Sequence, residues 1–317
     1  MMRTAVVGAG YLGRFHAQKY ATLENSTLVG IVDPDPGARE AVSGELGVAA
    51  HAEHRALVGR VDAVSIVTPT PTHHAIAKDF LEGGAHVLVE KPMTATVEQA
   101  RDLIATAKRF GRILQVGHLE RFNAAMRALQ PILTVPRFIE SARLAPFKAR
   151  GTDVDVVLDL MIHDIDLILS IVRSPVVSVD AVGTRVFSGA IDIANARLRF
   201  ANGCVANATA SRVSMKTERK LRLFQDDAYV SVDLHQKVRT LIRKDPTRTV
   251  DGVPGVSIDE TSYEASDALR DEIAAFLAAA QSGSTPAVTG EDGLAALEVA
   301  LAITDQVVRD QPPHGLG

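Results

Sequence analysis

No tryptophan occurs in the 317 residues, aromatic side chains make up 4%, and the single cysteine is Cys204. So few aromatics argue against the extensive stacking platform that many sugar-binding modules use. One cysteine excludes an intrachain disulfide and fits a reducing compartment. Nothing beside Cys204 in the sequence would stabilise a thiolate, so it reads as a packing residue in a strand-like run. No apolar run approaches the roughly 20 residues of a membrane-spanning helix, and no leader-like series follows Met1-Met2-Arg3. The formal charge is −4, with no basic stripe to track a phosphate backbone. The expectation is a cytoplasmic protein with no nucleic-acid partner and no membrane insertion.

What is present is a globular composition, 46% hydrophobic and 23% charged, on a chain long enough for two domains. The most specific string is Ala5-Val6-Val7-Gly8-Ala9-Gly10-Tyr11-Leu12-Gly13, followed about 20 residues later by Asp33 at the end of a second β-branched run. Glycine is common in turns, so three glycines alone say little. Here a strand precedes them and a helical segment, Arg14 to Leu23, follows. In a dinucleotide site Gly8 permits the tight turn, Gly10 leaves room for a pyrophosphate, and Gly13 lets the helix pack on the sheet. The phosphates would sit at the helix N-terminus. Asp33 would pair with the adenosine ribose and repel a 2′-phosphate, favouring NAD over NADP.

Strand and helix signals alternate up to about residue 118: strands over 63–67, 86–90 and 113–117, helices over 72–83 and 97–110. Alternation of this kind predicts βαβ units and a parallel, doubly wound sheet whose carboxyl edge builds the site. Thr68, Pro69, His73, Glu90, Lys91 and His118 all fall there. His73 beside His74 reads equally as a surface pair at a helix start. After residue 120 the texture becomes consecutive strands over 138–144, 176–187, 194–200, 205–213, 220–224, 229–234 and 238–242, then helices over 263–281 and 293–308. Arg243 to Glu260, rich in Pro, Gly, Asp and Thr, reads as a mobile loop, and Arg309 to Gly317 as a frayed tail. The expected fold is α/β: a Rossmann NAD-binding domain over 1–120, and over 121–317 an α+β domain with a large, mainly antiparallel open sheet, for substrate binding and oligomerisation. The last helix can pack back toward the first domain.

A greasy helix is expected from Val154 to Leu169, after a cap-like Gly151-Thr152-Asp153. At about 100° per residue Asp155, Asp159, His163 and Asp166 share one face of it. Three readings stay open: a core pair in which Asp159 holds His163, a catalytic base oriented by a carboxylate, or a divalent metal site on Asp159, His163 and Asp166. A preceding cofactor domain favours the second, in which no metal is required.

These residues resemble the glucose-fructose oxidoreductase, inositol dehydrogenase and MocA (Gfo/Idh/MocA) family. The likeness rests on the glycine run, Thr68-Pro69 with His73, Glu90-Lys91-Pro92, Asp159 with His163, and the closing Gly290-Glu291-Asp292-Gly293-Leu294. It implies an NAD-dependent dehydrogenase acting on a CH–OH group of a sugar, with Lys91 and His163 facing the nicotinamide, and a homo-oligomer formed through the open sheet. Catalytic roles then fall on Lys91, Asp159 and His163, and cofactor contacts on Gly8, Gly10, Tyr11, Leu12, Gly13, Asp33, Thr68, Pro69, His73, Glu90, Lys91 and His118. The strings Gly117 to Asn123 and Arg150 to Asp166 look like the branch that oxidises the 3-hydroxyl of UDP-N-acetylglucosamine, whose ketone an aminotransferase converts to the 3-amino sugar of some lipid A. Ala124 stands where that branch is expected to carry proline. Arg121, Phe122, Asn123, Arg143, Arg150 and Asp155 become the candidate substrate contacts, with Lys148 a further cation for a diphosphate. An inositol or other polyol dehydrogenase, a biliverdin-type or dihydrodiol-type reductase, and a non-catalytic NAD-binding regulator remain the alternatives.

Overall fold

The computed structural model describes residues 1–148, 154–250, 252–264 and 266–310. Two compact units result, Met1–Phe122 with Asp267–Leu297, and Asn123–Ser266 with Glu298 onward.

In the first unit, β1 (Met2–Val7), α1 (Tyr11–Thr22), β2 (Ser26–Val32), α2 (Pro36–Leu46), β3 (Ala49–His51), β4 (Ala63–Ile66), α3 (Thr70–Glu82), β5 (His86–Glu90), α4 (Val97–Phe110) and β6 (Leu114–Gly117) alternate along the chain. Buried Val, Ile, Leu and Ala runs form the central strands, the edge strand β3 being more exposed, and all five pairings are parallel, in the order β3-β2-β1-β4-β5-β6. The order reverses at β1 and β4, where a doubly wound sheet opens its ligand crevice. Helix starts are written in local chemistry: Asp35 and Thr96 cap α2 and α4 through Ala38 N and Gln99 N.

The second unit contains α5 (Ala124–Arg127), β7 (Phe138–Leu144), α6 (Ile162–Val172), β8 (Val176–Thr184), β9 (Ile193–Phe200), β10 (Val205–Ser211), β11 (Glu218–Phe224), β12 (Ala228–Asp233), β13 (Val238–Val250) and β14 (Val253–Ser262). Its eight-stranded sheet runs β14-β13-β12-β11-β7-β10-β9-β8, antiparallel except for the β7–β10 pair. Inward positions Ala194, Ala196, Ala206, Ala208 and Ala210 are all buried. Such small side chains let α6, which packs on β7 and β10, lie close to the sheet. Its contribution is Ile162, Ile165, Leu167 and Ile168.

Three expectations need correction. Residues 267–297, assigned to the second domain on sequence, group with the first, because Ile273, Phe276 and Leu277 of α7 (Ala268–Ser282) complete the core around Val6, Tyr20 and Ile31. The helix α8 (Gly290–Asp310) begins in that unit and groups with the second from Glu298. Arg243 to Glu260 is no loop: it belongs to the β13–β14 hairpin, with a register shift between Lys244 and Thr249 and Gly252 in the left-handed region. Polar residues suit such an edge, where Thr240 Oγ1 donates to Glu260 Oε2 at 3.3 Å and Arg239 pairs with Asp259. Finally, the helix over 154–169 is interrupted by a π-helical turn at Val157–Met161 before α6. The wider turn shifts Asp155 relative to the residues of α6, and within α6 Asp166 is buried while His163 is half-buried. The cap-like Gly151-Thr152-Asp153, Arg150 and the tail 311–317 lie outside the described residues.

Candidate active site

β1 ends in Gly8, whose φ is 100°. A Cβ there would stand 2.3 Å from the Val67 carbonyl oxygen, so only glycine passes between β1 and the loop after β4. A Cβ on Gly13 would stand 1.8 Å from the Gly8 carbonyl oxygen, and its absence lets α1 start directly beside the turn. Around Gly10 a Cβ would meet nothing within 4 Å, which leaves open space at the start of α1. No side chain caps that helix, so its first N–H groups suit an anion. Tyr11 and Leu12 are exposed on the first turn. Asp33 Oδ2 accepts from Ala9 N at 2.7 Å and Oδ1 from Asp35 N at 2.9 Å. A carboxylate has about four lone-pair sites, so Asp33 keeps acceptor capacity for ribose hydroxyls. These residues fit a dinucleotide.

The other strand ends add their groups along the same edge. His73, expected to line the groove, is buried: Nε2 lies 2.7 Å from the Thr68 carbonyl oxygen and Nδ1 3.0 Å from that of Pro92. It thereby ties the Thr68-Pro69 loop to the Lys91-Pro92 loop, whose peptide bond is cis. Burial holds its pKa below the ordinary histidine value, against the pull of those carbonyls. Its neighbour His74 pairs with Asp102 at 2.7 Å. Lys91 is half-buried at the end of β5. Beneath it, Glu90 Oε1 lies 3.2 Å from His16 Nε2 of α1, and Glu90 Oε2 accepts from Lys91 N at 3.3 Å. Burial would raise the Glu90 pKa, yet the bond and charge of His16 and the charge of Lys91 bring it below the usual glutamate value. A Cβ on Gly117 would stand 2.9 Å from Glu90 Oε1, so the glycine ending β6 makes room for that carboxylate. His118, next along, is buried. His16 was not singled out on sequence, although its place four residues before the buried Tyr20 puts it on the core face of α1.

Most candidate substrate contacts turn out to be engaged in holding the fold. Arg121 pairs with Asp292 at 3.5 Å; the same carboxylate accepts from Thr289 N at 2.8 Å, while Thr289 Oγ1 caps α8 by accepting from Asp292 N at 3.0 Å. Phe122 is buried. Asn123 caps α5 through Ala125 N and donates to the Leu234 carbonyl at 3.0 Å. Arg143, read as a loop or strand-end cation, points inward from β7 and holds Asp164 of α6 at 2.7 and 3.2 Å, both groups buried. Asp155 Oδ1 accepts from Leu158 N at 2.9 Å, capping the π-helical turn.

That turn carries Asp159, half-buried, and α6 carries His163. From Met161 to Ile168 every residue except His163 is buried. His163 is therefore the half-buried residue of an otherwise sealed run. Among the described residues no group of three or more His, Cys, Asp or Glu side chains could hold a metal ion, and no helix is long and apolar enough to cross a membrane.

A parallel sheet in this order, with a glycine turn at its switch point, an acid just past β2 and a lysine just past β5, defines a dinucleotide-dependent oxidoreductase. The chain belongs to the Gfo/Idh/MocA family. Residues 2–118 match the model described as an oxidoreductase family with an NAD-binding Rossmann fold, and residues 97–231 match the GFO/IDH/MocA C-terminal domain. The UDP-N-acetylglucosamine 3-dehydrogenase of Acidithiobacillus ferrooxidans is 41% identical over 95% of this chain and 96% of its own. A solved structure of that enzyme superposes with a TM-score of 0.93, covering 96% of this chain and 97% of the other. The scyllo-inositol 2-dehydrogenase (NAD(+)) of Bacillus subtilis is 28% identical over 98% of this chain and 95% of its own. A structure of scyllo-inositol dehydrogenase from Lactobacillus casei, with bound NAD(H) and scyllo-inositol, shares the fold at 21% identity, a TM-score of 0.82 and 98% coverage of both chains. The chain is thus an NAD-binding dehydrogenase with the α/β fold of its family.

Proposed function

We propose that the chain oxidises a secondary hydroxyl of a nucleotide-sugar to a ketone, with UDP-N-acetylglucosamine oxidised at C3 as the reaction. The observation that carries this reading is the 41% identity over nearly the whole length with an enzyme of that name, in a chain that has Lys91, Asp159 and His163. The ketone is of the kind that an aminotransferase converts to a 3-amino sugar for lipid A. The proposed compartment is the cytoplasm and the proposed assembly a homo-oligomer.

Bound NAD would supply the hydride acceptor for the sugar carbon. Its phosphates are assigned to the turn Gly8 to Gly13, and the adenosine ribose to Asp33. His163 takes the hydroxyl proton as general base, its ordinary pKa lying near working pH, and Asp159 orients its ring. Lys91 donates a hydrogen bond to the reacting oxygen and stabilises the charge that develops there. The Lys91 charge helps to hold the Glu90 carboxyl below the usual glutamate value. The π-helical turn at Asp159 supports this assignment, because single π turns within helices are frequent at functional sites.

Incubating the purified protein with NAD and UDP-N-acetylglucosamine, with an aminotransferase or ketone trap to draw the uphill oxidation forward, tests the reading. A 3-keto product is expected. Turnover of inositol or a free hexose but not of the nucleotide-sugar would keep the class of reaction and overturn the substrate; the similarity to inositol dehydrogenases makes inositol the comparison to run.

A further inference from the structure

We propose that Phe147 and Phe187 form a platform on which the base of a nucleoside diphosphate stacks, with the adjoining Lys148 placed for its phosphates. The proposal rests on the nucleotide-sugar reading above and assigns the part of the second unit that recognises the nucleotide.

Phe187, in the loop between β8 and β9, is 67% exposed, and Phe147, just past β7, is 38% exposed. Their rings meet edge to face, centroids 5.4 Å apart at 76°. In a chain with 4% aromatics this is a concentrated exposure of aromatic surface. A loop free to move would fold such rings against apolar neighbours, because leaving them in water is unfavourable. This loop is fixed. Asp192, fully buried, accepts from Val186 N at 2.8 Å, Phe187 N at 2.7 Å and Ser188 N at 2.9 Å through Oδ2, and from Ser188 Oγ at 2.6 Å through Oδ1. Arg212 Nε donates to Oδ1 at 2.9 Å and balances the charge. Burial opposes ionisation of Asp192, but the Ser188 hydroxyl and the three backbone N–H groups outweigh it and hold the carboxyl far below the ordinary aspartate value.

The same frame is joined to the segment that carries Asp159 and His163. Val156 N donates to the Ile191 carbonyl at 2.9 Å, and Arg212 Nη2 donates to the carbonyls of Val154 at 2.6 Å and Ile191 at 2.9 Å. Val156 thus stands in the same continuous segment as His163, directly before the π-helical turn that carries Asp159. Two rings at right angles offer one face for stacking and one edge for a lateral contact, which suits a planar heterocycle. Lys148 directly follows Phe147 and is exposed. Because the backbone is already ordered, binding costs little rearrangement.

The test is calorimetric titration of the unmodified protein, Phe187→Ala and Phe187→Tyr with UDP, beside steady-state kinetics with UDP-N-acetylglucosamine and NAD. Phe187 is exposed, so its removal leaves the packed core alone. The expected result is UDP affinity weakened about tenfold or more in Phe187→Ala, with most of the kinetic loss in KM, and affinity close to the unmodified value in Phe187→Tyr. Unchanged UDP affinity in Phe187→Ala, with the nucleotide-sugar still oxidised, overturns the platform and leaves the proposed function standing. No UDP binding by the unmodified protein, together with turnover of a free polyol, overturns both. A smaller particle by light scattering in Phe187→Ala, with unchanged UDP affinity, makes the rings a contact between copies and also overturns the platform.

Discussion

His16 places Nε2 3.2 Å from Glu90 Oε1 with its own side chain wholly out of solvent, so the helix that opens the cofactor turn is tied to the residue before Lys91. Removing His16 takes one hydrogen-bond partner from Glu90 and leaves Lys91 N and the Lys91 charge. His16→Leu is therefore expected to cost about 1–3 kcal/mol of stability, read by chemical denaturation at neutral pH. The pH dependence follows from the lowered pKa of Glu90. A carboxyl whose folded pKa lies below its unfolded value, about 4.3, stabilises the protein above that value and loses the contribution as the pH falls through the folded one. The stability gap between the unmodified protein and Glu90→Gln should thus be widest near neutrality and close in acid. A gap that is constant with pH would mean that the Glu90 charge contributes nothing to folding.

Arg143 and Asp164 form a second buried pair, and it reassigns an arginine that the sequence offered to the substrate. Arg143→Ala is expected to destabilise by about 3–5 kcal/mol, because it strands a carboxylate that is 2% exposed. The double variant Arg143→Met with Asp164→Leu should recover much of that loss, since it removes both charges. A raised KM at unchanged stability in Arg143→Ala would return this residue to the substrate site.

Asp33 sits where an adenosine ribose would be read, with its carboxylate held by Ala9 N and Asp35 N. Fluorescence titration should find NAD(H) bound more tightly than NADP(H), and Asp33→Ala should narrow the difference. Equal or better NADP(H) affinity in the unmodified protein would remove Asp33 from that role.

Local signals in this chain were legible and distant ones were not. The strands His86–Glu90 and Phe138–Leu144 and the helix Val97–Phe110 have the ends that their apolar runs and turn residues predict. Gly8, Gly10 and Gly13 occupy the positions that the motif requires of them. By contrast, His16 with Glu90 joins residues 74 apart, and Asn123 with Leu234 joins residues 111 apart. No local pattern marks such partners, which is why arginines and an asparagine near the candidate site read as substrate contacts. The β13–β14 hairpin was missed for another reason: edge strands tolerate the polar residues, Pro and Gly that elsewhere signal a loop.

The sharpest test falls on His163, the one residue between Met161 and Ile168 that is not buried. A general base must be unprotonated to accept the hydroxyl proton, so the oxidation rate of the unmodified enzyme should fall on the acid side as His163 becomes charged. His163→Asn should fold, bind NADH and lose most activity, and its residual rate should lack that acid limb. Lys91→Ala should also lose turnover by orders of magnitude while keeping NADH affinity, but its residual activity should keep the limb, because Lys91 is assigned to charge stabilisation and not to proton removal. A metal ligand at His163 would predict stoichiometric metal by elemental analysis and inhibition by chelators. A packing role would predict a lower Tm with the rate per folded molecule spared. The expected outcome, separate pH profiles for the two variants at full cofactor affinity, is one that neither a metal site nor a packing role produces.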